Sequence, residues 1–175
     1  DDGGAVCEHA DVCDGAPVIN EVDYDQDGTD AAEFIEIYNP GTGNVDLSEL
    51  KLEFVNGDGD VVYDSVDLDS GLDSNLMEPG AYLVIGPAGV VGELPEGTLA
   101  ITKGTTNLIQ NEDEGLRIVT KADGTFVDGS AYEGAVADTG EGDYAAADIA
   151  TGDASLSRCP NGTDTGDNWD DFALV

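Results

Sequence analysis

An acidic stretch between residues 23 and 36 has the spacing of a cation-binding loop. Its carboxylates recur at alternate positions around Gly28, and the opening Asp-x-Asp-x-Asp-Gly matches the first half of a calcium loop. The stretch does not complete an EF-hand, because its twelfth position is Phe34 and no helical pattern flanks it. Since calcium takes about six to eight oxygens, the sequence predicts a strand–loop–strand calcium site. Its expected ligands are Asp23, Asp25, Asp27, Asp30 and Glu33.

The competing interpretation of this stretch is a solvated hairpin loop that carries acidic side chains without binding a cation. Crowded carboxylates favour a bound cation, because like charges within about 6 Å raise one another's pKa unless a counter-charge is present. A second candidate calcium site lies near the C-terminus, with a flexible polar turn as its alternative. Its expected ligands are Asp164, Asp167 and Asp170.

The three cysteines favour a disulfide and therefore an oxidising compartment. Cys7 could pair with Cys13, or either of them could pair with Cys159, which is slightly preferred. The odd cysteine could then link two chains. Zinc binding by Cys7, His9 and Cys13 is a weaker alternative, because a fourth ligand is not evident. His9 is the only histidine, and no nucleophile elbow or phosphate loop accompanies it, so we expect no enzyme activity.

The charge balance excludes several partners. The chain has 175 residues, and 39 Asp and Glu against 5 Lys and Arg give a net charge of −34. Such a surface repels nucleic-acid phosphates and anionic lipid, and no apolar run reaches the length of a membrane-spanning helix. Adaptation to high salt and cation binding both explain the acidity. The few cations, Arg117 and Arg158 among them, are expected to pair with nearby carboxylates.

Apolar residues alternate in short runs bounded by Gly, Pro, Asn and Asp, which predicts an all-β sandwich. Residues 1–15 are expected to form an acidic leader that contains Cys7 and Cys13. Residues 16–175 are expected to form the sandwich, including a long surface excursion over about 136–168 and a final strand at 172–175. Trp169 and the tyrosines are expected to pack in the core or on a sheet face.

Several blocks of residues 16–175 resemble the lamin tail domain family in its bacterial and archaeal extracellular form. The blocks are Val18–Asp25, Asp30–Asn39, Val45–Ser48, Pro79–Ile85, Ser155–Arg158 and Asp171–Phe172. Leu50 departs from the family pattern, where Trp is common, and Asp27 stands where a turn Pro often lies. The resemblance implies an immunoglobulin-like β-sandwich and no activity of its own.

The resulting hypothesis is a secreted or cell-surface, non-enzymatic structural module that is stabilised by calcium. We expect it to act through protein–protein contacts, with identical subunits of a filament or surface layer among its partners, and without nucleic-acid binding or membrane insertion. The alternative is a monomeric adhesion or targeting module that binds a glycan or another exported protein.

Overall fold

Short strands joined by tight turns make up nearly all the regular structure of residues 15–139, 141–145 and 154–175, which the computed structural model describes. The strands are β1 (Val18–Asp23), β2 (Phe34–Tyr38), β3 (Val45–Asp46), β4 (Leu50–Asn56), β5 (Val61–Asp67), β6 (Leu76–Met77), β7 (Tyr82–Gly86), β8 (Leu99–Thr102), β9 (Glu114–Thr120), β10 (Phe126–Tyr132), β11 (Leu156–Arg158) and β12 (Phe172–Leu174). The helical elements are a 3-10 turn (Leu47–Glu49), α1 (Ala88–Val91) and α2 (Asn168–Asp171).

The strands form two main sheets. The six-stranded sheet has the order β12-β11-β1-β2-β7-β8, in which all neighbours are antiparallel except the parallel pair β7 and β8. The four-stranded sheet is antiparallel in the order β10-β9-β4-β5, so the hairpins β4–β5 and β9–β10 are joined through the β4–β9 pair, and β3 pairs with β6 separately. β1 packs across β9 and β10, so the two sheets enclose a common core.

The core arises from the period-two alternation of the strands. Inward-facing side chains from both sheets are buried, and several of their sequence neighbours on the outer faces are more exposed. They include Ile35, Ile37, Leu52, Leu83 and Ile118. The two-sheet arrangement confirms the predicted all-β sandwich.

The turn at residues 56–59 joins β4 to β5 as the sequence predicts. The Asn56 side-chain oxygen accepts a hydrogen bond from the Asp58 N–H (2.7 Å), and Gly59 and Asp60 have φ values of 92° and 53°. This left-handed backbone suits a tight hairpin connection, and Gly and Asp tolerate it better than bulky residues do.

One strand lies inside the range that the sequence predicts to be a surface excursion. Residues 156–158 form β11, which pairs with β1 on one side and β12 on the other. Its Leu156, Ser157 and Arg158 are all buried. The excursion is therefore interrupted by a core strand, whose short length and polar residues conceal it in the sequence.

Trp169 corrects the expectation that this aromatic packs in the core or on a sheet face. It lies in α2 and is 60% exposed. The inward positions of α2 are taken instead by Asn168 and Asp171, whose side chains make buried hydrogen bonds.

Candidate functional site

The acidic loop after β1 is organised by Gln26. Its side-chain amide donates to Asp23, its side-chain oxygen accepts from the Ala32 N–H (3.1 Å), and its backbone N–H donates to Asp30 Oδ1 (3.1 Å). These bonds close the loop between β1 and β2. Gln26 therefore holds two of the predicted calcium ligands: its side-chain amide bonds to Asp23 and its backbone N–H bonds to Asp30.

Glu33 turns away from this loop towards the segment before β9. Its carboxylate is fully buried and accepts hydrogen bonds from the backbone N–H groups of Leu108 and Ile109, the latter at 3.3 Å. Burial, together with Asp30 and Asp23, raises the pKa of Glu33 to about 7 despite these bonds. Glu33 therefore fastens the segment around residue 108 to the start of β2.

The two remaining predicted ligands of the loop point to different surroundings. Asp25 Oδ1 lies 3.3 Å from the Asn111 amide nitrogen, whereas Asp27 is exposed. The five carboxylates do not gather three oxygens at one point: in the part of the chain that the structure describes, a single trio of such side chains has ligand atoms within 4.8 Å of one another, and it lies elsewhere. Calcium binding at this loop stays a prediction.

A second group of acidic side chains surrounds Arg158, whose guanidinium is buried between the two sheets. Its Nε donates to the Ile19 carbonyl (2.9 Å) and its Nη1 donates to the Thr163 carbonyl (2.7 Å). The ring of Phe172 lies against it, with the guanidinium carbon 4.8 Å from the ring centroid. β11 therefore carries a fixed positive charge into the interior.

Four carboxylates surround this single cation. Asp171 Oδ2 lies 2.8 Å from Nη1 and Asp128 Oδ1 lies 3.1 Å from Nη2, whereas the nearest oxygens of Glu141 and Asp164 lie 3.7 Å away. The predicted pairing of Arg158 with carboxylates is confirmed. We call this group, Arg158 with Asp128, Glu141, Asp164 and Asp171, the Arg158 cluster. If all four acids are ionised, it carries three uncompensated negative charges.

Three of these acids form the trio with oxygens within 4.8 Å, namely Asp128, Glu141 and Asp164. Oε2 of Glu141 is buried and makes no hydrogen bond to any described residue. Burial and the neighbouring Asp128 and Asp164 charges raise the pKa of Glu141, and burial likewise raises the pKa of Asp128. The arrangement favours an added proton or an added cation.

The three predicted ligands of the second calcium site do not lie together. Asp164 joins the Arg158 cluster, but Asp167 caps α2 by accepting from the Trp169 N–H (3.1 Å). Asp170 is exposed on the same short helix. Asp128 and Glu141 were not expected from the sequence, because they lie far from Asp164 along the chain. The sequence signal that could have indicated them is Arg158 itself, because a rare cation in a buried strand needs carboxylate partners.

The cysteine predictions fall largely outside the described residues. Cys7 and Cys13 lie there, with the leader of residues 1–15 except Gly15, and so does His9. Cys159 is exposed directly after β11, and it is the only cysteine among the described residues. Disulfide formation stays a prediction.

Comparison with known proteins identifies the fold family. The family model described as Lamin Tail Domain matches residues 14–134, which is more than half of the chain. This family is an immunoglobulin-like, non-enzymatic domain associated with protein interactions. A search of curated proteins found no match. The helices of the described residues are too short to cross a membrane. The matched residues supply β1 to β10 of the sandwich described above, and the chain belongs to the lamin tail domain family.

Proposed function

We propose that this protein is a secreted or cell-surface structural module that has no enzyme activity and acts through contacts with other proteins, copies of itself included. Calcium stabilises the module and reduces repulsion between copies. The family supports the interaction role. The extracellular location rests on the cysteines and on the resemblance to extracellular members.

The exposed edge strand β5 is the observation that carries the self-association proposal. β5 is the last strand of the four-stranded sheet, so one of its sides has no neighbouring strand among the described residues. It begins with Val61 and Val62, which are 58% and 39% exposed. An edge strand with exposed β-branched side chains can pair with a strand of another chain, because its outer backbone groups need partners.

The proposed role of calcium follows from the charge. Copies that each carry −34 repel one another, and monovalent salt screens charges only beyond about 8 Å at physiological ionic strength. A divalent ion bound to carboxylates removes charge directly. The oxygen trio of the Arg158 cluster and the acidic loop at residues 23–33 are the two proposed places for it, since both offer carboxylates, which calcium prefers.

Light scattering in millimolar calcium and then in excess EDTA tests this proposal. We expect larger particles in calcium and dissociation after chelation, and electron micrographs should then show whether the particles are filaments or sheets. A parallel measurement in magnesium separates calcium binding from general screening of the negative charges. Magnesium dehydrates reluctantly and fits such carboxylate sites less well. Monomers in every condition would overturn the self-association proposal.

A second candidate function rests on two exposed aromatic side chains. Trp169 is 60% exposed and Tyr144 is 41% exposed, and their segments adjoin because the Trp169 N–H donates to the Asp143 carbonyl (3.0 Å). Exposed aromatics are common anchors for partner proteins and can stack on sugar rings. The monomeric adhesion alternative predicts that W169A abolishes capture of a glycan or exported protein and leaves the particle size unchanged.

A further inference from the structure

An open cleft of about 870 Å³ lies beside the acidic loop, between the β4–β5 turn and the segment before β9. Six carboxylate side chains line it, and several Asn and Gln side chains complete the wall. The six are Asp30, Asp58, Glu112, Asp113, Glu114 and Glu133. We call this region the acidic cleft.

Glu114 is the feature that distinguishes this cleft from ordinary acidic surface. The residue is only 3% exposed, yet it lines the cleft, and its Oε2 is buried without a hydrogen-bond partner in the part of the chain that the structure describes. A buried carboxylate oxygen without a partner is unfavourable, and more so when it is charged. A positively charged donor that enters the cleft could relieve this cost.

The chain's own lysines and arginines do not supply that donor. All five lie within the described residues, and none of them lines the acidic cleft. Each forms an ion pair elsewhere: Lys51 and Arg117 with Glu53, Lys103 with Asp64, Lys121 with Asp69, and Arg158 within its cluster. No lysine or arginine of the described residues therefore neutralises the cleft, whereas a basic group of another molecule could.

The cleft walls are held in place by close packing around Asp113. Gly57 donates its N–H to the Asp113 carbonyl (2.9 Å), and a Cβ at Gly57 would lie 2.3 Å from that oxygen. On the other side, a Cβ at Gly134 would lie 2.4 Å from the Asp113 carboxyl carbon. Larger side chains do not fit at either glycine, so the acidic wall is built on a fixed backbone. Fixed groups bind with a smaller loss of conformational entropy.

The dimensions favour a side chain over a bare metal ion. The cleft is open and wide, and none of its carboxylates belongs to a trio with oxygens within 4.8 Å among the described residues. An ammonium or guanidinium group carries several N–H donors on a long stem, so it can reach Glu114 and bond to neighbouring amide oxygens.

We propose that the acidic cleft binds a lysine or arginine side chain from a basic segment of a partner protein. This inference rests on the proposed function, because it names the chemistry of one partner of the interaction module. It does not involve β5, so it can hold or fail independently of self-association.

Calorimetric titration of the full chain with a hexalysine peptide at physiological ionic strength tests the inference. E112Q and E114Q each remove one cleft carboxylate, and E96Q removes an exposed carboxylate outside the cleft as the matched control. Because a hydrogen bond to a charged group contributes about 1.5–3 kcal/mol, we expect E114Q to weaken binding about tenfold or more. E112Q should weaken it by a smaller factor, E96Q should match the wild type, and hexalysine acetylated at every Nε should not bind.

Three results would overturn the inference. The first is no binding of the peptide by the wild type, and the second is equal weakening by E96Q and E112Q. The third is that calcium alone binds at the cleft, depends on Glu114 for this binding, and displaces the peptide. E112Q keeps the test valid even if E114Q perturbs folding, because Glu112 is exposed. Repeating the titration with V62K, which should be monomeric, separates this inference from the self-association proposal: peptide binding there with no assembly would leave the cleft assignment standing.

Discussion

Arg158 and Asp171 form an ion pair in which neither side chain is exposed to solvent, with 2.8 Å between Nη1 and Oδ2. Asp171 also accepts hydrogen bonds from the Thr165 N–H (2.9 Å) and hydroxyl (2.8 Å). The pair therefore ties β11, the loop after it and the start of β12 together. These strands lie beyond the residues that the family model matches, yet they complete the six-stranded sheet.

Replacing Arg158 by lysine should cost about 3–5 kcal/mol of the free energy of unfolding. Lysine cannot donate simultaneously to the Ile19 carbonyl, Asp128 and Asp171, and breaking a buried pair leaves uncompensated charge inside the protein. The matched control is R117K, where the Arg117 side chain is 23% exposed, its partner Glu53 also pairs with Lys51, and about 1 kcal/mol or less is expected. Urea denaturation measures both variants, and similar small losses would contradict the structural role given to Arg158.

The protein should become more stable as the pH falls from about 8 to about 5. Burial, together with the Asp113 charge, raises the pKa of Glu114 from 4.5 to about 7, and Glu33 has a similar value. Between the ordinary pKa of 4.5 and the raised pKa of about 7, the folded chain binds more protons than the unfolded chain. The free energy of unfolding therefore decreases as the pH rises through about 7. The effect is at most about 3 kcal/mol for each group, and melting curves at several pH values would show it.

The variant E114Q isolates the contribution of one of these groups. An uncharged side chain of the same shape should raise the melting temperature relative to the wild type near pH 8 and have little effect near pH 5. E96Q should follow the wild type at both pH values, because Glu96 is exposed. A melting temperature for E114Q that is lower than that of the wild type near pH 8 would show that the Glu114 carboxylate is stabilising when ionised.

E33Q should loosen the segment around residue 108. The amide can present only one acceptor oxygen, so either the Leu108 or the Ile109 N–H loses its buried partner at a cost of about 1–3 kcal/mol. Hydrogen exchange of these two amides should accelerate, whereas amides of β4 and β9 should change less. Unchanged protection at both amides would mean that Glu33 does not hold this segment.

A lysine at the exposed edge strand should prevent self-association. V62K places a charge at a 39% exposed position of β5, which should block pairing with another strand while the fold is retained. L76K adds the same charge at a 46% exposed apolar position outside the two main sheets and is the control. If L76K disrupts association as much as V62K, the contact does not run through β5.

Much of the sandwich was predictable because its main strands alternate cleanly. Leu50, Leu52 and Phe54 face the core of β4 at every second position, and the turn at residues 56–59 has a strong local signal. β3, β6 and β8 were not predicted, because strands of two to four residues are too short for alternation to be recognised.

The candidate sites were less predictable, because they depend on contacts between residues distant in sequence. Asp164 meets Asp128 and Glu141 only after β11 inserts beside β1. Glu33 reaches Leu108 across 75 positions, and local spacing had grouped it with the acidic loop instead. Local spacing identified acidic segments but not the direction in which each carboxylate points.

Sedimentation velocity in millimolar calcium and in excess EDTA, at physiological ionic strength, tests the central claim most directly. We expect assemblies of the wild-type chain in calcium, monomers after chelation, and monomers of V62K in both conditions. A wild-type chain that sediments as a monomer with and without calcium would contradict it.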